Sequence, residues 1–196
     1  MTQPPPDTAA ETDLTPEQVL EHDAQYALMQ FRQEGRLRPR IYAVTSDHKL
    51  LVIPVPEMES RHDQDMFAAT VHMIFLAYPV VRYSHMTEAW FAVPAPDETE
   101  FRLPSERPDR REALVVSVIA RETRLLRIYE IKRDPRGTVT DLPVFMEKGE
   151  GHVKSWLHEF LPRRQPTAHD REMARRMLPT FGIEISEQRY QPPTRH

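Results

Sequence analysis

Cysteine is absent from this chain of 196 residues, and glycine occurs only five times. The lack of cysteine excludes disulfide bonds and metal sites built on thiolates. Because glycine is scarce, few positions can adopt left-handed backbone, and the turns must rely on the 19 prolines and on Asp and Ser. No two glycines have the spacing of a phosphate-binding or dinucleotide-binding loop, which excludes that class of site as well.

Long apolar segments are also missing. The longest apolar run, near residues 73–81, is far shorter than the roughly 20 residues that a membrane-spanning helix needs. The first 14 residues have neither the basic start nor the apolar stretch of a secretory signal peptide. These absences predict a cytoplasmic protein with no membrane partner.

The two ends of the chain differ in character from the part between them. Residues 1–14 contain three consecutive prolines and no apolar period, which predicts a disordered tail. Residues 191–196 are predicted to be a frayed end. The segment 15–190 has the length of one domain, which is long enough to bury a sizeable core.

Helical periodicity occurs twice in the N-terminal half. Thr15 begins the first helix with a capping box, and Gly35 ends it. Its apolar stripe consists of Leu20, Ala24, Ala27, Leu28 and Phe31. Ser60 begins the second helix, which is apolar nearly all round and therefore predicted to be central and buried. We interpret His72 on this helix as a core histidine and place Met66 on its buried face.

Alternating and β-branched residues predict the strands. The segments "IYAV" (Ile41–Val44) and "KLLVIPV" (Lys49–Val55) form a hairpin, and residues 80–93 form two strands or one interrupted strand. After a proline-rich loop at 94–111, the segments "ALVVSVIA", "RLLRIYEIK" and "TVTDLPVF" read as a meander. Two short helices follow, one near 153–160 and one after Thr167. This order predicts an α+β domain with a largely antiparallel sheet, a central buried helix and peripheral helices.

One pattern suggests metal-dependent chemistry. Pro108-Asp109 precedes the first meander strand, and Glu130-Ile131-Lys132 ends the second. This resembles the PD-(D/E)xK motif of a broad nuclease superfamily, and the resemblance implies that Asp109 and Glu130 hold Mg²⁺ or Mn²⁺ while Lys132 lies near the attacking water. In a hairpin that turns at 121–124, residue 113 lies near residue 131, which would bring the three side chains together. The chain has three Pro-Asp pairs, so a chance match is the alternative.

The loop before the meander contains a dense cluster of charge. In "PSERPDRREALVVS" the candidates for binding are Arg107, Arg110 and Arg111, and Trp90 belongs to the preceding "EAWFAVP". We expect Asp109 and Glu112 to neutralise the two adjacent arginines in a structured loop. These segments are similar to uncharacterised bacterial and phage proteins in which a Glu-Ala-Trp strand precedes such a loop. The similarity covers residues 80–133 and implies no activity.

Basic residues dominate the second half of the chain. Residues 1–100 contain 16 acidic and 7 basic side chains, whereas residues 101–196 contain 14 acidic and 19 basic ones. Arginines cluster around the first meander turn and in the C-terminal helices, at Arg121, Arg124, Arg127, Arg163, Arg164, Arg171, Arg175 and Arg176. Contact with nucleic acid is one hypothesis, and mutual neutralisation by the interleaved acids is the other.

Together these patterns favour a binding function. We expect a protein without catalytic activity or cofactor that binds another protein through Arg107, Arg110, Arg111 and Trp90, as an accessory factor of a bacterium, phage or mobile element. The first alternative is a divalent-metal nuclease that uses Asp109, Glu130 and Lys132. The second is a nucleic-acid-binding protein that uses its basic C-terminal half.

Overall fold

Three α-helices and nine strands make up the part of the chain that the computed structural model describes, which is residues 14–93, 104–149, 160–162, 164–182 and 185–190. The helices are α1 (Pro16–Glu34), α2 (Arg61–Ala77) and α3 (Ala168–Met177). The strands are β1 (Arg40–Thr45), β2 (Lys49–Pro54), β3 (Val80–Phe91), β4 (Arg111–Ala120), β5 (Arg124–Glu130), β6 (Lys132–Arg133), β7 (Val139–Asp141), β8 (Val144–Gly149) and β9 (Ser186–Arg189). The predicted tail, the frayed end and nearly all of the helix predicted at 153–160 lie outside the described residues.

Seven of the strands form one sheet in the order β8-β5-β4-β3-β1-β2-β9, while β6 and β7 form a separate pair. All pairings between the described strands are antiparallel. The hairpin β1–β2 and the meander β4–β5–β8 lie on either side of β3, which is a single uninterrupted strand. The predicted α+β fold with a largely antiparallel sheet is confirmed. The sequence patterns did not reveal β9, which pairs with β2 at the end of the sheet.

Helix α1 packs on one face of the sheet, against β3, β4 and β5. It begins with the predicted capping box, in which the side chains of Thr15 and Gln18 accept hydrogen bonds from each other's backbone N–H groups. It ends at Gly35, whose φ of 69° is the left-handed conformation that glycine adopts easily. Its buried stripe meets the sheet residues Met86, Leu114, Val116, Val118, Leu125 and Tyr129. We call this side of the sheet the α1 face.

Helix α2 packs on the opposite face, which we call the α2 face, against β1, β2 and β3. Phe67, Val71, Ile74 and Phe75 contact a floor that includes Ile41, Leu51, Ile53 and Tyr83. Only this side of the helix is deeply buried, so the predictions for Met66 and His72 are wrong. Both side chains are exposed, because they lie on the helix side that points away from the sheet.

Among the described residues, the buried histidine is His85 on β3. It is almost fully enclosed on the α2 face, and its Nδ1 lies 2.6 Å from the hydroxyl oxygen of Ser117 on β4. Strand alternation places His85 on the same face as Tyr83, two residues earlier. The sequence analysis did not predict that His85 is buried.

Candidate functional site

The strands β3 and β4 meet at one end of the sheet in a cluster of arginines and aromatic rings. The residue pairs Trp90–Glu112 and Phe91–Arg111 face each other across the two strands. Because side chains alternate along a strand, Trp90 lies on the α1 face and Phe91 on the α2 face. The guanidinium of Arg110 lies 4.6 Å from the centre of the Trp90 ring, and that of Arg111 lies 5.9 Å from the Phe91 ring. Three of the four predicted binding residues are thus neighbours.

The fourth predicted binding residue, Arg107, forms an ion pair within the loop that precedes β4. Its guanidinium donates two hydrogen bonds to Asp109, from Nε at 2.9 Å and from Nη2 at 3.0 Å. This bidentate pair is the main reason why the pKa of Asp109 lies below its ordinary value. Both carboxylate oxygens of Asp109 are therefore engaged with Arg107.

The acidic residues near the two adjacent arginines also contact other arginines. Glu112 pairs with Arg133 at 2.6 Å, and Arg111 lies 3.5 Å from Glu130. Glu112 does not pair with Arg111, because β4 begins at Arg111 and its alternation turns Arg111 and Glu112 to opposite faces. The positive charge of Arg111 does act on Asp109, where it helps to lower the pKa of that carboxyl group. The guanidinium of Arg110 lies over an exposed tryptophan ring.

The residues of the nuclease-like motif are not assembled as that motif requires. Ala113 pairs with Glu130, one residue away from the expected register. Strand β5 ends at Glu130, and Lys132 belongs to the separate two-stranded sheet. Within the described residues, no three His, Asp or Glu side chains are placed to hold a metal ion. Asp109 engages Arg107, and Glu130 lies beside Arg111, so the described geometry gives the nuclease hypothesis no support.

An apolar edge strand adjoins the arginine cluster. Strand β8 is the last strand at one side of the seven-stranded sheet, and no other described strand pairs with its outer edge. Its residues Val144, Phe145 and Met146 are exposed. The ring centres of Phe145 and Phe91 are 4.6 Å apart, which joins the edge strand to the cluster. We refer to Trp90, Phe91, Arg110, Arg111 and residues 144–146 as the arginine–aromatic end.

Some of the predicted basic residues gather at a second place. A groove of about 930 Å³ is lined by Arg121 and Arg124 from the β4–β5 turn and by Arg164 and Arg171 near α3. Among the described residues of this lining, the other charged residue is Asp170. Its carboxylate accepts hydrogen bonds from the backbone N–H and hydroxyl of Thr167 at 2.8 and 2.9 Å and from Arg164 at 2.9 Å. These bonds, with those from Thr167 as the larger cause, lower the pKa of Asp170 to about 2. We call this the cationic groove.

Of the other predicted basic residues that the structure describes, Arg127, Arg175 and Arg176 are not in the lining of the cationic groove. Arg127 and Arg176 form ion pairs with Glu21 and Glu172 at 2.7 and 3.0 Å. Arg163 lies outside the described residues. The cationic groove therefore combines only part of the predicted basic surface, from two segments 40 residues apart in the sequence.

A third concave region lies beside α1 and was missed by the sequence analysis. It contains Asp23 and Arg82, two ionisable side chains that are only 9% and 8% exposed. The signal for Asp23 was present in the sequence, because it lies on the apolar stripe of α1 between Leu20 and Ala24. The signal for Arg82 was a charged residue inside a strand of β-branched and aromatic residues. The Asp23 carboxylate also bonds to His22 at 3.0 Å and thereby raises the pKa of His22.

No helix in the described ranges has both the length and the apolar character needed to cross a bilayer. Compared with models of protein families, with curated proteins and with solved structures, the chain has no significant match.

Proposed function

We propose that this protein binds a protein partner at its arginine–aromatic end without catalysing a reaction, as an accessory factor of a bacterium, phage or mobile element. The observation that carries the proposal is the contact between Arg110 and the ring of Trp90, which is 44% exposed. Tryptophan and arginine supply much of the binding energy at protein interfaces. An exposed ring that already holds a guanidinium in place loses little freedom when a partner covers it.

The edge strand β8 supplies the second element of the proposed interface. Unpaired backbone groups at a sheet edge can bind an extended segment of another protein as an added strand. The exposed Val144, Phe145 and Met146 would contact apolar side chains of that segment. Acidic side chains of the partner would then meet Arg110 and Arg111.

A protein partner suits this surface better than a nucleic acid does. Glu112 and Glu130 lie among the arginines, where they would repel a phosphate backbone. The exposed aliphatic side chains of Val144 and Met146 offer little to nucleic-acid bases, whereas they are ordinary components of protein interfaces.

The test compares capture of partners by matched variants. The double variant Trp90→Ala, Arg110→Ala removes the exposed stack, and Met29→Ala changes a similarly exposed side chain on α1 that is not part of the arginine–aromatic end. Proteins captured from extracts of the source cells are quantified by mass spectrometry for the wild type and both variants. We expect at least one protein to be lost tenfold or more with the double variant and retained with Met29→Ala. If every captured protein persists with the double variant, while circular dichroism shows that it is folded, the proposal is wrong.

A nuclease assay separates this proposal from the first alternative. We expect no cleavage of DNA or RNA in the presence of Mg²⁺ or Mn²⁺. Cleavage that EDTA abolishes, and that the variant Glu130→Gln lacks, would overturn the binding proposal in favour of a metal-dependent enzyme, because this substitution removes the charge of a metal ligand at nearly constant shape.

The cationic groove favours a second candidate function, which is binding of nucleic acid. Among the described residues, four arginines and one acid line it, so phosphate groups would meet a net positive charge there. Fluorescence anisotropy with DNA and RNA oligonucleotides at several salt concentrations measures this binding. If the groove contacts phosphates, Arg121→Ala with Arg124→Ala lowers the steepness of the salt dependence by about two. Absence of binding at low salt would rule the candidate out.

A further inference from the structure

The groove beside α1 has the size and lining of a site for a small ligand. It lies on the α1 face, where β1, β2 and β9 extend beyond the helix, and its volume is about 720 Å³. Small-molecule sites in proteins commonly occupy about 300–1,000 Å³ and combine an apolar lining with a few polar groups. The apolar and aromatic part of this lining includes Tyr26, Tyr42, Val44 and Val52. We call it the α1 groove.

Two buried charges of opposite sign line the α1 groove, and each has one polar atom without a partner among the described residues. Oδ1 of Asp23 bonds to His22, while its buried Oδ2 has no hydrogen-bond partner in that part of the chain. Arg82 donates from Nη1 to the backbone oxygen of Leu14 at 2.9 Å and from Nη2 to the hydroxyl of Tyr190 at 2.8 Å. Its buried Nε has no such partner. Buried polar groups in native proteins are nearly always hydrogen-bonded, so this pair of atoms calls for an explanation.

The two charges are separated along the axis of α1. The guanidinium of Arg82 lies beside Leu14, just before the helix begins at Pro16. Asp23 is seven residues beyond Pro16, which is about 10 Å at a rise of 1.5 Å per residue. A ligand that meets both charges must therefore be elongated, with a cationic group and an anionic group about 10 Å apart.

We propose that the α1 groove binds a short apolar peptide with free termini, its ammonium group at Asp23 and its carboxylate at Arg82. An extended residue spans about 3.3–3.6 Å, so the two ends of a tripeptide lie about 10 Å apart. The ends of a single amino acid are too close together to reach both side chains. A ligand with only one charge would satisfy one buried group and be repelled by the other. The rings of Tyr26 and Tyr42, which pack edge to face at 6.5 Å, provide an apolar surface for the body of the peptide.

The experiment uses the full chain and three forms of the tripeptide Ala-Leu-Tyr, measured by isothermal titration calorimetry. These forms are the free peptide, the N-acetylated peptide and the C-amidated peptide. We expect saturable binding of the free peptide and at least tenfold weaker binding of each modified form, because each modification removes one terminal charge. If the free peptide does not bind at millimolar concentration, or if a modified form binds equally well, the proposal is wrong.

Variants assign the ammonium contact to Asp23. In Asp23→Asn the free and N-acetylated peptides should bind equally, while the preference for a free carboxylate remains. The exposed Asp47 is the matched control, because Asp47→Asn makes the same chemical change outside the lining of the groove and should leave all three affinities unchanged. Retention of the wild-type preference for a free amine in Asp23→Asn would overturn the assignment. If Asp23→Asn does not fold, the three peptides on the wild-type protein still decide the proposal.

Discussion

Replacing Phe75 by alanine tests whether α2 and the sheet share one tightly packed core. The side chain is only 1% exposed and lies on the buried side of α2. Its ring packs edge to face against Tyr83 of β3, with ring centres 5.1 Å apart, and against Phe160 at 6.2 Å. Alanine is compatible with a helix, so the substitution removes only the ring that packs between α2, β3 and Phe160.

The expected loss of stability follows from burial and from the ring contacts. Truncation of a buried phenylalanine to alanine costs about 3–5 kcal/mol, because apolar area is lost and a cavity remains. Aromatic pairs contribute about 0.5–1.5 kcal/mol beyond their buried area, which favours the upper part of this range for a ring with two aromatic neighbours. For a protein of this size the loss corresponds to a decrease in Tm of roughly 6–20 °C.

Urea denaturation followed by circular dichroism measures the free energy of unfolding. The control is Met66→Ala on the same helix, since Met66 is 47% exposed and its truncation should change stability by less than about 0.5 kcal/mol. A loss below about 1 kcal/mol for Phe75→Ala, or a loss equal to that of Met66→Ala, would contradict the packing of α2 against the sheet.

Three further substitutions test local features of α1. Thr15→Ala removes the capping box and should cost about 1 kcal/mol in the free energy of unfolding, measured in urea. Gly35→Ala places a Cβ at a φ of 69° and should cost about 1–2 kcal/mol in the same assay. The pKa of His22 is raised by Asp23, so protonation of His22 stabilises the fold below pH 6.5 and this contribution is lost as the pH rises through the higher folded pKa. Between pH 5.5 and 8.5 the urea midpoint of His22→Gln should therefore fall less than that of the wild type, and parallel pH profiles would refute this.

The elements that sequence reasoning predicted correctly are those with local signals. The capping boxes at Thr15, Ser60 and Thr167 are all formed, because each depends on residues only three positions apart. The sequence Asp-Pro-Arg-Gly at 134–137 is likewise a local turn signal, and there the Gly137 N–H donates to the Asp134 carbonyl. The meander was predicted only in part: β4, β5 and β8 are neighbours as expected, but the predicted third strand "TVTDLPVF" divides into β7, which pairs with β6 in a separate sheet, and the start of β8.

The features that escaped prediction depend on long-range pairing. Alternation along a strand does not fix its register against the neighbouring strand. We expected Ala113 to lie opposite residue 131, whereas it pairs with Glu130. The ion pairs also depend on long-range contacts. Glu112 pairs with Arg133, which lies beyond the end of β5. The binding prediction concerns Trp90, Arg107, Arg110 and Arg111. It stays a prediction, because the sequence of one chain does not encode the identity of its partner.

The central strand β3 belongs to both faces of the sheet, and this couples the two cores during unfolding. Met86 points into the core beneath α1, whereas Tyr83 points into the core beneath α2. The backbone of β3 is also hydrogen-bonded on both sides, to β1 and to β4. Loss of one helix would thus leave the amide protons near Tyr83 and Met86 protected by the other half of the sheet. These protons should exchange with deuterium only through global opening, more slowly than those of β8 or β9, and their exchange rate would report the stability of the whole domain.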